Sequence, residues 1–141
     1  MFRYAIPALC NFTGYAIYLD TDMIVLGDIE ELWDMRQEGV WRTCGDDSVT
    51  VMDCSSVVMS LDSLKAGRFG GKAELRKAVP QVDDLPREWN HRDKLTEETK
   101  LLHFTNMKTQ PWKPYPEVIK YQEHPDKGAV ELWRTFAESA S

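Results

Sequence analysis

The sequence predicts a mixed α/β domain with a ligand site at the mouth of a strand. Three observations carry this expectation. Residues 15–19 (YAIYL) are a continuous run of apolar and aromatic side chains that stops at Asp20-Thr21-Asp22, and Met23-Ile24-Val25-Leu26 follows. Such a run reads as a strand buried on both faces, as in parallel sheets. Residues 48–59 (SVTVMDCSSVVM) are rich in β-branched side chains and read as one or two strands. Residues 126–139 carry an amphipathic helical pattern, with Asp126 as cap and Ala129, Val130, Trp133, Phe136 and Ala137 on the apolar side. A length of 141 residues gives room for one domain with a fair core.

The other elements follow in order. Residues 2–9 (FRYAIPAL) predict a short helix or turn, broken at 11–14. After Gly27, Asp28 and Glu31 have the spacing of a capping box, and Ile29, Leu32 and Trp33 share a helical face. Residues 39–47 are polar and turn-rich apart from Trp41. Within the β-branched run, Asp53-Cys54-Ser55-Ser56 is either a close approach for a ligand or a turn. Short helices are expected over 61–66 and 73–79, broken at 67–71. Residues 81–86 read as a loop, 96–100 as a solvated connector, and 101–104 as a short apolar strand carrying His103. Three prolines keep 105–116 free of regular structure.

Composition narrows the function. The net charge is −6 with no long basic run, which argues against duplex nucleic acid as a partner. No stretch is long and apolar enough to cross a bilayer, and no signal peptide opens the chain. Cys10, Cys44 and Cys54 form no C-x-x-C pair, which fits a reducing cytoplasm and three packed thiols.

The chemistry centres on Asp20 and Asp22. Carboxylates near a core need a partner, and Lys and Arg are absent from residues 4–35. A divalent cation is the simplest one, although a D-x-D triplet also marks turns. His103 extends the pair to a three-ligand set. Two carboxylates suit Mg²⁺ or Mn²⁺, and the imidazole tilts the choice towards Mn²⁺. Asn106 and Lys108 follow in a polar loop, where Lys108 offers a point charge for a phosphate or stands as a solvated lysine. His91 and His124 sit in polar surroundings and receive no role.

Several of these segments resemble glycosyltransferase family 8, which includes glycogenin and the bacterial lipopolysaccharide galactosyl- and glucosyltransferases. YAIYLDTDMIVLGDIEELW resembles the family's D-x-D segment, and FRYAIPAL the helix before it. Val51-Met-Asp-Cys-Ser-Ser-Val-Val-Met59 resembles its small-residue strand. LPREWN resembles its Leu-Pro-x-x-Trp-Asn segment. His103-Phe-Thr-Asn-Met-Lys108-Thr-Gln-Pro111-Trp112 resembles its His-x-x-Gly-x-x-Lys-Pro-Trp loop. The pieces keep the family's order over about half of the chain.

The resemblance implies a GT-A-like fold and retaining transfer of a hexose from a UDP-sugar to a saccharide or lipid-linked acceptor. Asp20, Asp22 and His103 would hold Mn²⁺ (or Mg²⁺). Lys108, Asn106, Thr21 and Ser56 would contact the nucleotide sugar. The location implied is cytoplasmic, including the periphery of a membrane. The chain also departs from the family pattern. It starts only a dozen or so residues before the motif strand, so most of the nucleotide-binding strands are expected to be missing. An exposed sheet edge with a tendency to self-associate is expected in their place. Lys108 follows His103 one residue sooner than usual. Cys54-Ser55-Ser56 replaces an Asn-Ala-Gly type triplet. The acidic segment before Leu-Pro is reduced to Gln81-Val82-Asp83-Asp84, so no residue facing the reactive carbon can be named. A non-catalytic metal- or sugar-nucleotide-binding remnant is the alternative, and a metal-dependent phosphohydrolase, which needs more acidic ligands, is a third.

Overall fold

The computed structural model describes residues 2–44, 46–57 and 82–139. In chain order their regular elements are a 3-10 turn Phe2–Ala5, α1 Ile6–Leu9, β1 Tyr15–Leu19, β2 Met23–Val25, α2 Ile29–Asp34, β3 Trp41–Cys44, β4 Asp46–Asp53, a 3-10 turn Cys54–Ser56, β5 Val82–Asp84, a 3-10 turn Arg87–Asn90, β6 His91–Arg92, β7 Leu101–His103 and α3 Lys127–Ser139. The architecture is mixed α/β with two mixed sheets, divided into two units: Met1–Leu19 with Ile29–Leu85, and Asp20–Asp28 with Pro86–Ser141. The helices expected over 61–66 and 73–79, the break at 67–71, and residues 58–59 of the β-branched run lie outside the described residues.

The first unit is built around β4. Its residues 48–53 are buried on both faces, as expected for a β-branched run at a sheet centre. β1 and β3 flank it, both antiparallel, and β5 adds to β3 in parallel. β1 differs from the expectation of a fully covered parallel strand. Among the described residues it is an antiparallel edge strand, half-buried throughout. Its apolar residues are shared between two sides. Ala16 and Tyr18 pack on a cluster of Tyr4, Trp41, Met52 and Cys54, while Tyr15 meets Trp33 edge-on at 6.4 Å. An edge strand needs only that partial cover.

β3 and β5 replace the expected turn-rich stretch and loop. β3 exists because β4 offers it a ladder, and Trp41 stacks on Tyr4 at 5.8 Å. β5 is three residues long; its pairing to β3 continues into Leu85 N–H, which donates to Thr43 O at 2.7 Å. The small polar group after β4 is a turn. Asp53 is buried and caps it, accepting from Ser55 N (2.8 Å) and Ser55 Oγ (2.6 Å), and its other oxygen accepts from Gly39 N at 2.8 Å. Gly39 has φ +73°, a conformation that costs other residues about 1 kcal/mol or more.

In the second unit β7 is central, antiparallel to β2 and parallel to β6. Leu101, Leu102 and Phe104 are fully buried. α3 packs Ala129, Leu132 and Trp133 against Leu102 and Phe104. Asp126 caps that helix as predicted: Oδ1 accepts from Ala129 N at 3.1 Å, while Oδ2 accepts from Leu95 N at 2.8 Å and ties the helix to the loop. Phe136 and Ala137, placed on the apolar side from sequence, are exposed because the cluster reaches only the first turns. The connector at 96–100 is more than solvated. Lys100 O accepts from both Leu26 N and Gly27 N at 2.8 Å, and Thr99 is buried.

Candidate metal centre

β2 and β7 pair with Met23 opposite His103, and Phe104 N–H donates to Asp22 O at 2.9 Å just beyond. This pairing holds the Asp20-Thr21-Asp22 turn beside the end of β7. Asp20, Asp22 and His103 each present a ligand atom, all within 4.8 Å of one another. Two oxygen ligands on opposite sides of a divalent cation stand about 4–5 Å apart, so one ion fits among the three. The triplet is thus a turn that also brings both carboxylates beside His103.

Two residues orient this set. His103 Nδ1 lies 2.8 Å from Asn90 Oδ1, and both side chains are buried. A carboxamide oxygen only accepts, so Nδ1 carries the proton. The lone pair of the neutral ring is then on Nε2, which faces Asp22 Oδ1 at 3.3 Å. Two lone pairs that close repel unless a metal ion, or a proton on Nε2, stands between them. This is the arrangement in which a metal-bound imidazole is held through its other nitrogen. On the carboxylate side, Gln110 Nε2 donates to Asp22 Oδ2 at 3.3 Å and to Phe104 O at 2.8 Å. Two carboxylates and one imidazole are a donor set that suits a hard or borderline divalent ion.

The remaining sequence-predicted residues are not part of the three-ligand cluster. Thr21, Asn106 and Lys108 are exposed. The Asn106 side chain accepts from Lys108 N at 3.1 Å, and Lys108 O accepts from Gln122 N at 2.9 Å, which fixes the loop backbone. Ser56 belongs to the first unit, where its hydroxyl donates to Asp53 O at 2.7 Å.

Sequence reasoning missed Asn90 and Gln110 as site residues. Asn90 ends a 3-10 turn behind the buried Trp89, and Gln110 is itself buried just before Pro111; both lie within the family-like segments, but nothing in the sequence marks either as a partner of the ligand set. His124, which the sequence leaves without a role, is buried. Nδ1 lies 2.9 Å from Asp126 O, and its ring meets Phe104 edge-on at 5.4 Å, so it braces the start of α3. His91 Nδ1 lies 2.8 Å from Thr99 Oγ1 and serves the same kind of local role. No protein-family model and no curated protein matches this chain.

Proposed function

We propose that this chain serves a metal-dependent, retaining glycosyl transfer on a GT-A-like scaffold, moving a hexose from a UDP-sugar to a saccharide or lipid-linked acceptor. One observation carries the reading: Asp20 and Asp22 and the sequence-distant His103 present ligand atoms within 4.8 Å of one another. The order of the family-like segments adds to it.

Asp20, Asp22 and His103 Nε2 would hold Mn²⁺ or Mg²⁺. Bound there, the ion would supply positive charge to a departing diphosphate. Asn90 keeps the proton on Nδ1, so Nε2 stays available. Gln110 fixes the rotamer of Asp22. Lys108, exposed on the loop after β7, would add a point charge for the leaving phosphate, and Thr21 and Asn106 would border it.

Titration calorimetry of UDP with and without Mn²⁺, beside a UDP-sugar hydrolysis assay, tests the reading. Metal-dependent binding with turnover supports it. Binding without turnover supports a non-catalytic sugar-nucleotide module instead. Absence of any metal-dependent binding refutes both.

A further inference from the structure

The loop between Phe104 and Gln110 starts and ends on Asp22. Phe104 N–H donates to Asp22 O at 2.9 Å, while Gln110 Nε2 donates to Asp22 Oδ2 at 3.3 Å and to Phe104 O at 2.8 Å. Both ends are buried, but residues 105–108 are exposed and include Lys108. Tethered ends do not by themselves order the middle of a loop, because exposed backbone with few packed neighbours opens at little cost. A residue from outside the loop supplies the missing hold.

That residue is Asp93, which directly follows β6. Its N–H donates to His103 O at 2.9 Å, which seats it at the end of β7. Its carboxylate takes the first two loop residues: Oδ2 accepts from Thr105 Oγ1, and Oδ1 accepts from Asn106 N–H at 3.4 Å. Asn106 passes the restraint on. Its Oδ1 accepts from Lys108 N–H at 3.1 Å, and its carbonyl oxygen accepts from Thr109 N–H at 2.9 Å and Thr109 Oγ1 at 3.1 Å. An unbroken run of hydrogen bonds therefore leads from Asp93 to the backbone of Lys108. Behind the carboxylate stands the buried His124, with Nε2 3.7 Å from Oδ1. Asp93 also has φ +53°, a left-handed conformation that Asp, Asn and Gly adopt more readily than other residues. Backbone held in this region by its surroundings is concentrated at functional sites.

The charge of Asp93 gives a second argument. A carboxylate near Lys108 works against any anion that Lys108 would meet. What it offers in exchange is grip, since hydrogen bonds to an ionised acceptor are about twice as strong as neutral ones. We propose that Asp93 is a positioning residue: it fixes residues 105–108 beside the candidate metal centre and, through Asn106, sets where Lys108 stands. That Lys108 then meets a leaving phosphate rests on the glycosyl-transfer reading; the hold on the loop does not.

The test has two arms on the full chain. Without ligand, NMR amide hydrogen exchange at Asn106 and Lys108 should be about tenfold faster in Asp93→Ala than in the parent. Thr105→Val, which removes one donor from an exposed side chain and leaves the Asp93 backbone alone, should move exchange in the same direction by less. With Mn²⁺, calorimetric titration should show UDP binding about tenfold weaker in Asp93→Ala. The same change in a Lys108→Met background should cost less than about twofold, because a residue that acts through Lys108 then has nothing to act on. Asp93→Asn suits the same backbone and keeps an acceptor oxygen, so it should recover most of the affinity. Removal of a negative charge alone would tighten UDP binding, so the sign of the effect separates grip from electrostatics.

Exchange unchanged in both Asp93→Ala and Thr105→Val overturns the proposal. So does UDP affinity in Asp93→Ala equal to or tighter than the parent's, or an equal loss with and without the Lys108 ammonium group. Faster exchange in both variants, with no Mn²⁺-dependent UDP binding by the parent, refutes the glycosyl-transfer reading and leaves the positioning role standing.

Discussion

Replacing Asn90 by alanine should weaken Mn²⁺ binding without touching a metal ligand. The carboxamide accepts from His103 Nδ1 at 2.8 Å in a buried setting, with Asn90 8 % and His103 5 % exposed. Without it the ring loses both its tautomer preference and its rotational anchor, so Nε2 is presented to Asp22 only part of the time. Loss of such a partner costs about 10- to 100-fold in metal affinity, or roughly 1.4–2.7 kcal/mol. The unpartnered Nδ1–H should also lower the stability of the metal-free protein by about 1–3 kcal/mol. Asn90→Asp keeps an acceptor oxygen and adds negative charge, so it should bind Mn²⁺ at least as well as the parent. Calorimetric titration of Mn²⁺ into the parent and both variants reads this ordering, with urea unfolding in EDTA as the stability control. Parent-like affinity in Asn90→Ala refutes the reasoning. Equal losses in the two variants also refute it, because they would make packing, not the hydrogen bond, the operative property.

Asp22→Asn should abolish Mn²⁺-dependent UDP binding while leaving the circular dichroism spectrum and unfolding midpoint close to the parent; unchanged UDP affinity would remove Asp22 from the site. Gly27→Ala should destabilise by about 1–3 kcal/mol, because the new Cβ would stand 2.9 Å from Lys100 Cβ and 3.2 Å from the buried Trp89 Cη2; a denaturant midpoint equal to the parent's would contradict that crowding. Burial pushes the Asp53 carboxyl up, but hydrogen bonds from the Ser55 side chain and the Gly39 and Ser55 backbones hold it below its usual value. Its folded pKa is thus lower than its unfolded one. Its contribution to stability is complete above the ordinary carboxylate range and fades as pH falls through the folded value. Asp53→Asn should therefore be less stable than the parent at neutral pH, with the gap closing in acid. A gap that widens on acidification, followed by urea unfolding at several pH values, would reverse the assigned sign.

The candidate metal ligands were legible in the sequence because each interrupts an apolar stretch. Asp20 and Asp22 separate two strand-forming runs, and His103 closes a third, so only pairing of the second and third was needed to bring them together. Asn90 and Gln110 were not legible, because an amide acquires its task only when the fold sets it against an imidazole or a carboxylate. β3 and β5 were missed for a related reason. Arg42 and Asp83 are poor strand residues in isolation, yet they lie opposite each other in a parallel pair that β4 organises. The helix caps were read correctly at Asp126, since that signal is local. The extent of the packed face of α3 was not, since it depends on where the partner cluster ends.

All three candidate metal ligands belong to the second unit, and they join a turn before β2 to the end of β7. An ion seated there would act as a rivet. At a hundredfold excess over its dissociation constant it would add about 2.7 kcal/mol to the unit it fastens. Amide hydrogen exchange along β2 and β7 should therefore slow on loading and quicken on chelation, making the lifetime of this short sheet a gauge of divalent-cation supply.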